Sequence, residues 1–287
     1  MTDLSFDATS RFLETATGKV HYHEAGAGPA LVLLHGSGIG VSGWANFGDN
    51  LPAFARHFRT FIIDAPGYGK SDPVAGDPVQ VAVAATLALL DGLGIDKAHV
   101  IGNSYGGIVG GHFAAKHPDR IDRLVTIGGV GYWITSPFPT EGLSRLVDFV
   151  EDPTREKLVM WLHSMVYDKA FVTEELIETR LAQALDPVTM ESSRKMYTRA
   201  GLDFITGLNY GAEGAQRLDY LARIEAPTLL CWGRDDKVNP LDGALLPLRM
   251  IRNAALHVFP RCGHWAMIEA KDAFEATVLA FLTGRAG

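Results

Sequence analysis

The chain has 287 residues, which fits one large α/β unit with an insertion or two domains of average size. Hydrophobic residues make up 47% and charged residues 21%, a composition that excludes disorder and collagen-like repeats. Lys and Arg total 26 against 33 Asp and Glu, a net charge of −7; nucleic acid is excluded as the main partner because phosphate backbones are bound by basic surfaces.

Two cysteines, Cys231 and Cys262, are too few for a disulfide framework, a zinc ribbon or an iron–sulfur site. They read as reduced thiols of a cytoplasmic protein. Met1 to Asp7 carries two acids and no basic stretch, so no signal peptide is expected. The longest near-continuous apolar run, Val81 to Leu90, has ten residues. A membrane span needs about 20, so no membrane partner is expected.

In chain order, Lys19–Glu24 alternates and predicts a half-exposed edge strand. Ala30–Leu34 is continuously apolar and predicts a buried one. Arg59–Ile63, His99–Ile101, Leu124–Ile127, Thr228–Trp232 and Leu256–Phe259 follow. Buried runs separated by helix-length segments predict a mostly parallel sheet. Between them, helices are predicted at Pro78–Gly92, Ser104–His117 and, with apolar Phe274, Val278 and Leu282 on one face, Asp272–Leu282. From about 131 to 215 the rhythm breaks. Helical patterns at Glu141–Val150, Thr154–Val166, Thr173–Leu185 and Thr189–Ala200 are punctuated by Pro137, Pro139, Pro153 and Pro187. Parallel sheets bind ligands at the carboxyl ends of their strands. A helical insertion leaving from that end is expected to cover the site as a lid over 133–214, with 1–132 and 215–287 forming the core.

The sharpest chemical feature is Gly102-Asn103-Ser104-Tyr105-Gly106, between a predicted strand and a predicted helix. This is a G-x-S-x-G elbow in the context it requires: a strained turn that lifts a serine hydroxyl above the sheet edge. The flanking glycines remove Cβ atoms from that turn, and the Tyr105 amide opens the helix as an oxyanion donor. The alternative is a tight structural turn with an inert serine. A base is offered by His264, on the loop Arg261-Cys262-Gly263-His264-Trp265 after the last strand; the alternative is a hydrogen-bonded core histidine. For the orienting acid, Gly233-Arg234-Asp235-Asp236 supplies two candidates, and Asp64 at an earlier strand end is a third. The chain order serine, acid, histidine favours Asp236.

The loop His35-Gly36-Ser37-Gly38-Ile39-Gly40 follows the buried strand Ala30–Leu34. It is where a second oxyanion amide is expected, assigned to Ser37, with Gly36 and Gly38 letting backbone approach a substrate. His35 reads as a structural residue that holds this loop. Gly38-Ile39-Gly40-Val41-Ser42-Gly43 also satisfies a dinucleotide fingerprint, with Asp64 about 20 residues on. That reading leaves the serine elbow and both later loops unexplained. His21 and His23 share a strand face and could bind a metal, but no carboxylate pattern completes a site. His57, His99, His112 and His117 read as ordinary residues near element ends. Trp133, Ile134, Phe138, Met160 and Trp161 point to an apolar pocket.

These motifs resemble the α/β-hydrolase superfamily over nearly the whole chain and, more narrowly, the meta-cleavage-product hydrolases, which break C–C bonds in ring-fission products of aromatic catabolism. The narrow markers are His35-Gly36-Ser37-Gly38 with Trp44-Ala45-Asn46-Phe47, the elbow through Gly107, and Pro139-Thr140-Glu141-Gly142. Val166-Tyr167-Asp168 through Arg180, Trp232 through Asp236, Asn239 through Gly243, and Leu256 through Trp265 complete them. The resemblance implies an eight-stranded, mostly parallel sheet flanked by helices, with the lid inserted after the sixth strand. It implies a 2-hydroxy-6-oxohexa-2,4-dienoate substrate, cleaved to 2-hydroxypenta-2,4-dienoate and a carboxylic acid without metal or organic cofactor. It assigns cleavage to Ser104, His264 and Asp236, and the oxyanion amides to Ser37 and Tyr105. Asn46, Asn103 and Arg180 hold the dienoate end, and Trp265 packs on the substrate. A homo-oligomer is implied as well. On residues alone, Arg180 also reads as a solvated helix residue. Two rival functions are a carboxylesterase with the same triad and a non-catalytic binding module on a hydrolase scaffold. The chain departs from the family pattern at Ser37, where many members have glycine, at Ile39, where they have proline, and at Tyr105.

Overall fold

The computed structural model describes residues 3–16, 18–131, 135–210 and 216–284. Eight strands form one sheet: β1 (Ser10–Thr15), β2 (Gly18–Ala25), β3 (Ala30–Leu34), β4 (Arg59–Ile63), β5 (Ala98–Asn103), β6 (Ile121–Ile127), β7 (Thr228–Gly233) and β8 (Ala254–Phe259). Their spatial order is β1-β2-β4-β3-β5-β6-β7-β8. β2 runs antiparallel to β1 and β4, and the other neighbours are parallel.

Three short helices accompany the first strands: α1 (Phe6–Thr9), α2 (Gly43–Phe47) and α3 (Leu51–Phe54). α4 (Pro78–Gly92) starts on an Asp77 cap, whose carboxylate accepts from the Gln80 amide at 2.9 Å. α5 (Tyr105–Lys116) follows the serine elbow. Between β6 and β7 lie α6 (Glu141–Glu151), α7 (Arg155–Met165), α8 (Glu174–Ala184), α9 (Pro187–Met196) and α10 (Arg199–Tyr210). α11 (Leu245–Met250), α12 (Ala266–Glu269) and α13 (Lys271–Leu282) close the chain.

The continuous apolar strands are buried on both faces, and alternation sorts their side chains. Leu31, Leu33, Ile62, Ile101, Val125 and Ile127 join one hydrophobic cluster. Val32, Leu34, Phe61, Ile63, Val100 and Leu124 join another, with α4 and α5 residues such as Leu89 and Val109. The first cluster continues into the insertion through Phe149, Leu158, Trp161 and Leu162, and into α13 through Phe274 and Val278. The insertion is therefore packed on the same apolar mass as the sheet. Each fully buried Leu, Ile or Phe contributes about 1.5–3 kcal/mol.

Two sequence expectations are corrected here, and one strand had no expectation at all. Lys19–Glu24 is not an edge: β1 pairs outside it, and His21 and His23 are wholly buried. β1 escaped detection because Ser10-Arg11-Phe12-Leu13-Glu14-Thr15 is polar and half-exposed, with no buried face to mark it. The helix expected over Thr189–Ala200 is two helices. Pro187 opens α9, where a missing amide costs nothing. Thr198 caps α10, accepting from the Gly201 amide at 3.1 Å. Gly201 and Gly207 had weakened the helical signal beyond Ala200. Among the described residues no helix is long and apolar enough to cross a membrane.

Candidate active site

Ser104 sits at the β5–α5 junction with φ 52° and ψ −118°, the strained turn expected of an elbow. Sterics fix the sequence around it. A Cβ on Gly102 would stand 2.1 Å from the Gly106 carbonyl oxygen, and one on Gly106 would stand 2.1 Å from that of Leu34. The Ser104 amide donates to the Ile127 carbonyl at 2.7 Å, tying the elbow to the end of β6. Tyr105 opens α5, so its amide belongs to the helix's first turn, whose N–H groups lack intrahelical partners. Its side chain points elsewhere: the hydroxyl donates to the Pro78 carbonyl at 2.7 Å.

His264 and Asp236 meet on the loops after β8 and β7. Nδ1 of His264 lies 2.7 Å from Oδ2 of Asp236, and both side chains are buried. Oδ1 of Asp236 accepts from the Val238 and Asn239 amides, each at 2.8 Å. Those two amides satisfy Oδ1, and a proton on Nδ1 of His264 faces Oδ2, which leaves Nε2 free to act as an acceptor. Of the three acids considered, Asp236 is the one facing His264. Asp235 lies 3.3 Å from Arg234. Asp64 binds His21 at 2.7 Å and the Gly43 and Lys70 amides. Ser10 completes a look-alike relay with its Oγ 2.8 Å from His21 Nε2. None of Ser10, His21 and Asp64 lines the cavity that Ser104 and His264 share.

Sequence reasoning missed what brings the two halves together. Gly128 (φ +53°) and Gly129 pass between them. A Cβ on Gly128 would stand 3.1 Å from Asp236 Oδ2 and 3.2 Å from His264 Nδ1, and one on Gly129 would stand 2.5 Å from the Ser104 carbonyl oxygen. A Gly-Gly pair directly after a buried strand was the available signal.

The shared cavity measures about 810 Å³. The loop after β3 forms one wall. His35 holds it: Nδ1 donates to the Gly36 carbonyl at 2.5 Å, and Nε2 accepts from the Ala65 amide at 3.0 Å. Burial pushes its pKa down, so the ring is neutral. Asn46 Oδ1 accepts from the Gly36 amide at 2.8 Å, and Asn103 Nδ2 donates to the Ile127 carbonyl at 3.2 Å. Gly36, Ser37, Gly38, Asn46, Asn103 and Trp265 all line the cavity. The glycines proposed for a dinucleotide instead permit packing: a Cβ on Gly38 would stand 3.1 Å from Trp161, one on Gly40 2.8 Å from Gln183, and one on Gly43 2.7 Å from the Ile63 carbonyl oxygen.

The opposite wall comes from the insertion. Arg180 on α8 is 4% exposed, not solvated, and lines the cavity. Burial lowers its pKa to about 10, so it remains a cation at neutral pH. It lies over the Trp265 ring, 5.9 Å from the centroid. Among the described residues no carboxylate pairs with it, and an unpaired buried charge is costly. Tyr197, unremarked in the sequence, places its hydroxyl 2.5 Å from Ser37 Oγ and ties the segment between α9 and α10 to the core loop. Of the residues expected to form an apolar pocket, Phe138 and Trp161 line the cavity. Met160 is exposed, and Trp133 and Ile134 lie outside the described residues. His112, read as ordinary, also lines it. Among the described residues no group of three or more His, Cys, Asp or Glu side chains is placed to hold a metal ion.

A sequence profile of the α/β hydrolase fold matches residues 29–271. A meta-cleavage product hydrolase from Pseudomonas fluorescens superposes with a TM-score of 0.85, at 31% identity over 96% of this chain and 98% of that one. The chain belongs to the α/β hydrolases, among the meta-cleavage product hydrolases. Two further relatives of this hydrolase bracket it. A 2-hydroxy-6-oxononadienedioate/2-hydroxy-6-oxononatrienedioate hydrolase from Paraburkholderia phymatum is 41% identical over 96% of each chain. A 2-hydroxy-6-oxo-6-phenylhexa-2,4-dienoate hydrolase from Burkholderia cepacia is 36% identical over 98% of this chain and 99% of that one.

Proposed function

We propose that this hydrolase cleaves the C5–C6 bond of 2-hydroxy-6-oxohexa-2,4-dienoates, giving 2-hydroxypenta-2,4-dienoate and a carboxylic acid. One observation carries the reading beyond a general esterase. Arg180, a buried arginine with no carboxylate partner among the described residues, shares a cavity with Ser104 and His264. A substrate carboxylate there pairs this buried cation through two parallel N–H···O bonds.

In this reading Arg180, Asn46 and Asn103 hold the dienoate end while the dienol ketonises. The C2 hydroxyl loses its proton and C5 gains one, which makes C5 a competent leaving carbon. His264 Nε2 takes the Ser104 proton, and Oγ attacks the C6 carbonyl, with Asp236 stabilising the imidazolium. The Ser37 and Tyr105 amides receive the developing oxyanion, each such donor being worth about 2.7–4 kcal/mol. The C5–C6 bond breaks, and its electron pair is delocalised to the C2 oxygen, which His264 reprotonates. Water, deprotonated by His264, then releases the acid from Ser104. Residues 133–214 act as a lid over this chemistry, and Trp265 packs against the conjugated chain.

The test follows loss of the dienol colour with purified protein. Turnover is expected, and Ser104→Ala lowers kcat by about 10⁴–10⁶-fold with an unchanged melting temperature. Rapid hydrolysis of p-nitrophenyl esters with every dienoate left intact would replace the reading by a carboxylesterase. Binding without turnover of either class would favour a non-catalytic module. The relatives differ at C6, one being named for a dienedioate and the other for a phenyl ketone. A cytoplasmic homo-oligomer belongs to the same proposal, and sedimentation of the purified protein checks the assembly.

A further inference from the structure

The loop that carries the base is anchored at three consecutive residues, Cys262, Gly263 and His264. The Asp235 amide donates to the Cys262 carbonyl at 2.9 Å, the Gly263 amide to Oε1 of Glu269 at 2.8 Å, and the His264 amide to the Met165 carbonyl at 2.7 Å. The first anchor belongs to the sheet side, and the last to the end of α7 in the insertion. The middle one is a side chain. Glu269, five residues after His264, ends α12 and does not line the cavity. Its other oxygen, Oε2, accepts from the Tyr167 amide at 2.6 Å.

The carboxylate resolves a mismatch of backbone polarity. Met165–Tyr167 lies against the Gly263–His264 loop, so closely that a Cβ on Gly263 would stand 2.6 Å from the Met165 carbonyl oxygen and 2.9 Å from Val166 Cα. One pair of backbone groups matches, the His264 amide with the Met165 carbonyl. The Gly263 and Tyr167 amides are both donors and cannot bond to each other. An acceptor-only group with two oxygens serves both. Among the described residues no lysine or arginine pairs with Glu269, so its half-buried charge is held by amides. Burial pushes its pKa up, and the Tyr167 and Gly263 amides oppose that rise. The carboxylate is also aimed from behind. Ala266 and Met267 of α12 are wholly buried, and Asn50 donates to the Met267 carbonyl at 3.0 Å and to Glu275 of α13 at 2.9 Å.

In the proposed reaction His264 takes a proton, returns one and then deprotonates water. The bond from Nδ1 to Asp236 orients its ring, but the loop sets where its backbone stands relative to Ser104. We propose that Glu269 is a positioning residue of the reaction: it seats the base loop on the insertion and so sets the distance between His264 Nε2 and Ser104 Oγ. This role rests on the reading in which His264 is the base. Glu269 touches neither the substrate nor the reacting atoms, so its removal slows proton transfer without weakening binding.

The test measures kcat and KM for a dienoate and for p-nitrophenyl acetate, and the rate at which a fluorophosphonate labels Ser104. All are taken at a temperature where circular dichroism shows each variant folded. Glu269→Gln keeps the size and one acceptor oxygen but turns an NH₂ group towards one of the two donors. It is expected to lower kcat about 10-fold, and Glu269→Ala about 100-fold, with KM within about twofold and labelling slowed by the same factors. If Glu269→Ala does not fold, Glu269→Gln decides. A lower melting temperature with kcat and labelling unchanged makes the role structural and overturns the proposal, as does a raised KM at unchanged kcat. Hydrolysis of the ester with dienoates left intact removes the C–C reading alone, and the Glu269 effect is then judged on the ester and the label. Wild-type protein that neither turns over nor is labelled sinks the triad reading and this role with it.

Discussion

Ser104, Asp236 and His264 are held by backbone, whereas Arg180, Trp161 and Tyr197 reach the same cavity through side chains alone. On the sheet side, main-chain hydrogen bonds, amides that donate to the Asp236 carboxylate and glycines that admit no Cβ, as at Gly102, Gly106, Gly128 and Gly129, set the positions. On the helical side, a guanidinium crosses over Trp265 and a phenol meets Ser37 Oγ. The sheet side fixes the reacting atoms within narrow limits, as nucleophilic catalysis requires. The helical side supplies charge and closure, which tolerate movement. The two sides meet at a few points: the His264 amide donates to the Met165 carbonyl at 2.7 Å, and Glu269 accepts from the Gly263 and Tyr167 amides.

Substitutions on each side are therefore expected to fail differently. The largest effect belongs to Gly106→Ala. Its Cβ overlaps the Leu34 carbonyl, so both fold and turnover are lost, read as a collapsed melting temperature. An active, stable Gly106→Ala would show that the sheet side is not rigid. Next is Arg180→Met, which splits function from stability. Dienoate kcat/KM is expected to fall by about 10²–10³-fold with the loss of a charge-assisted pair. The ligand-free protein gains about 1–4 kcal/mol from replacing a buried charge by an apolar side chain, which thermal melting detects. A destabilised Arg180→Met would mean that the cation has a structural partner.

Smaller again is Tyr197→Phe. Losing the bond to Ser37 Oγ is expected to lower kcat by about 3–10-fold with little change in KM, since a net hydrogen bond is worth about 0.5–1.5 kcal/mol. Ser37→Ala should match it, and the double variant should add little; additive losses would break the link between the two walls. The smallest effect lies at the sheet edge, away from both walls. Burial holds His23 at about 4 against an ordinary value near 6.5. The unfolded chain binds the extra proton between those values, so stability contributed by neutral His23 is present above about 6.5 and lost as pH falls towards 4. Replacing His23 with Phe should make the acid limb of a stability–pH curve shallower; an unchanged slope would assign the loss to other buried histidines.

Much of this was legible beforehand where chemistry is local. β3, β4 and α4 were located to the residue, because continuous apolar runs and an Ala/Leu-rich stretch that ends at Gly92 are short-range signals. The serine elbow was legible because its strand, turn and helix follow one another directly, and Gly102 answers to the Gly106 carbonyl four residues on, although Gly106 answers to Leu34 far back in the chain. β1 was not, because an edge strand carries no buried face. His112 was missed because its importance comes from Tyr220, more than a hundred residues further on.

The sequence by itself determined the elbow, the parallel sheet and the set of residue types available for chemistry, since each depends on neighbours within a turn or a strand. Only the tertiary structure decided which aspartate faces His264, that Arg180 is buried with no carboxylate partner among the described residues, and that His112 stacks on Tyr220 at the wall of the same cavity. Those outcomes depend on side chains distant in the chain sharing a low-dielectric space, where pairing, burial and charge are set by what lies opposite.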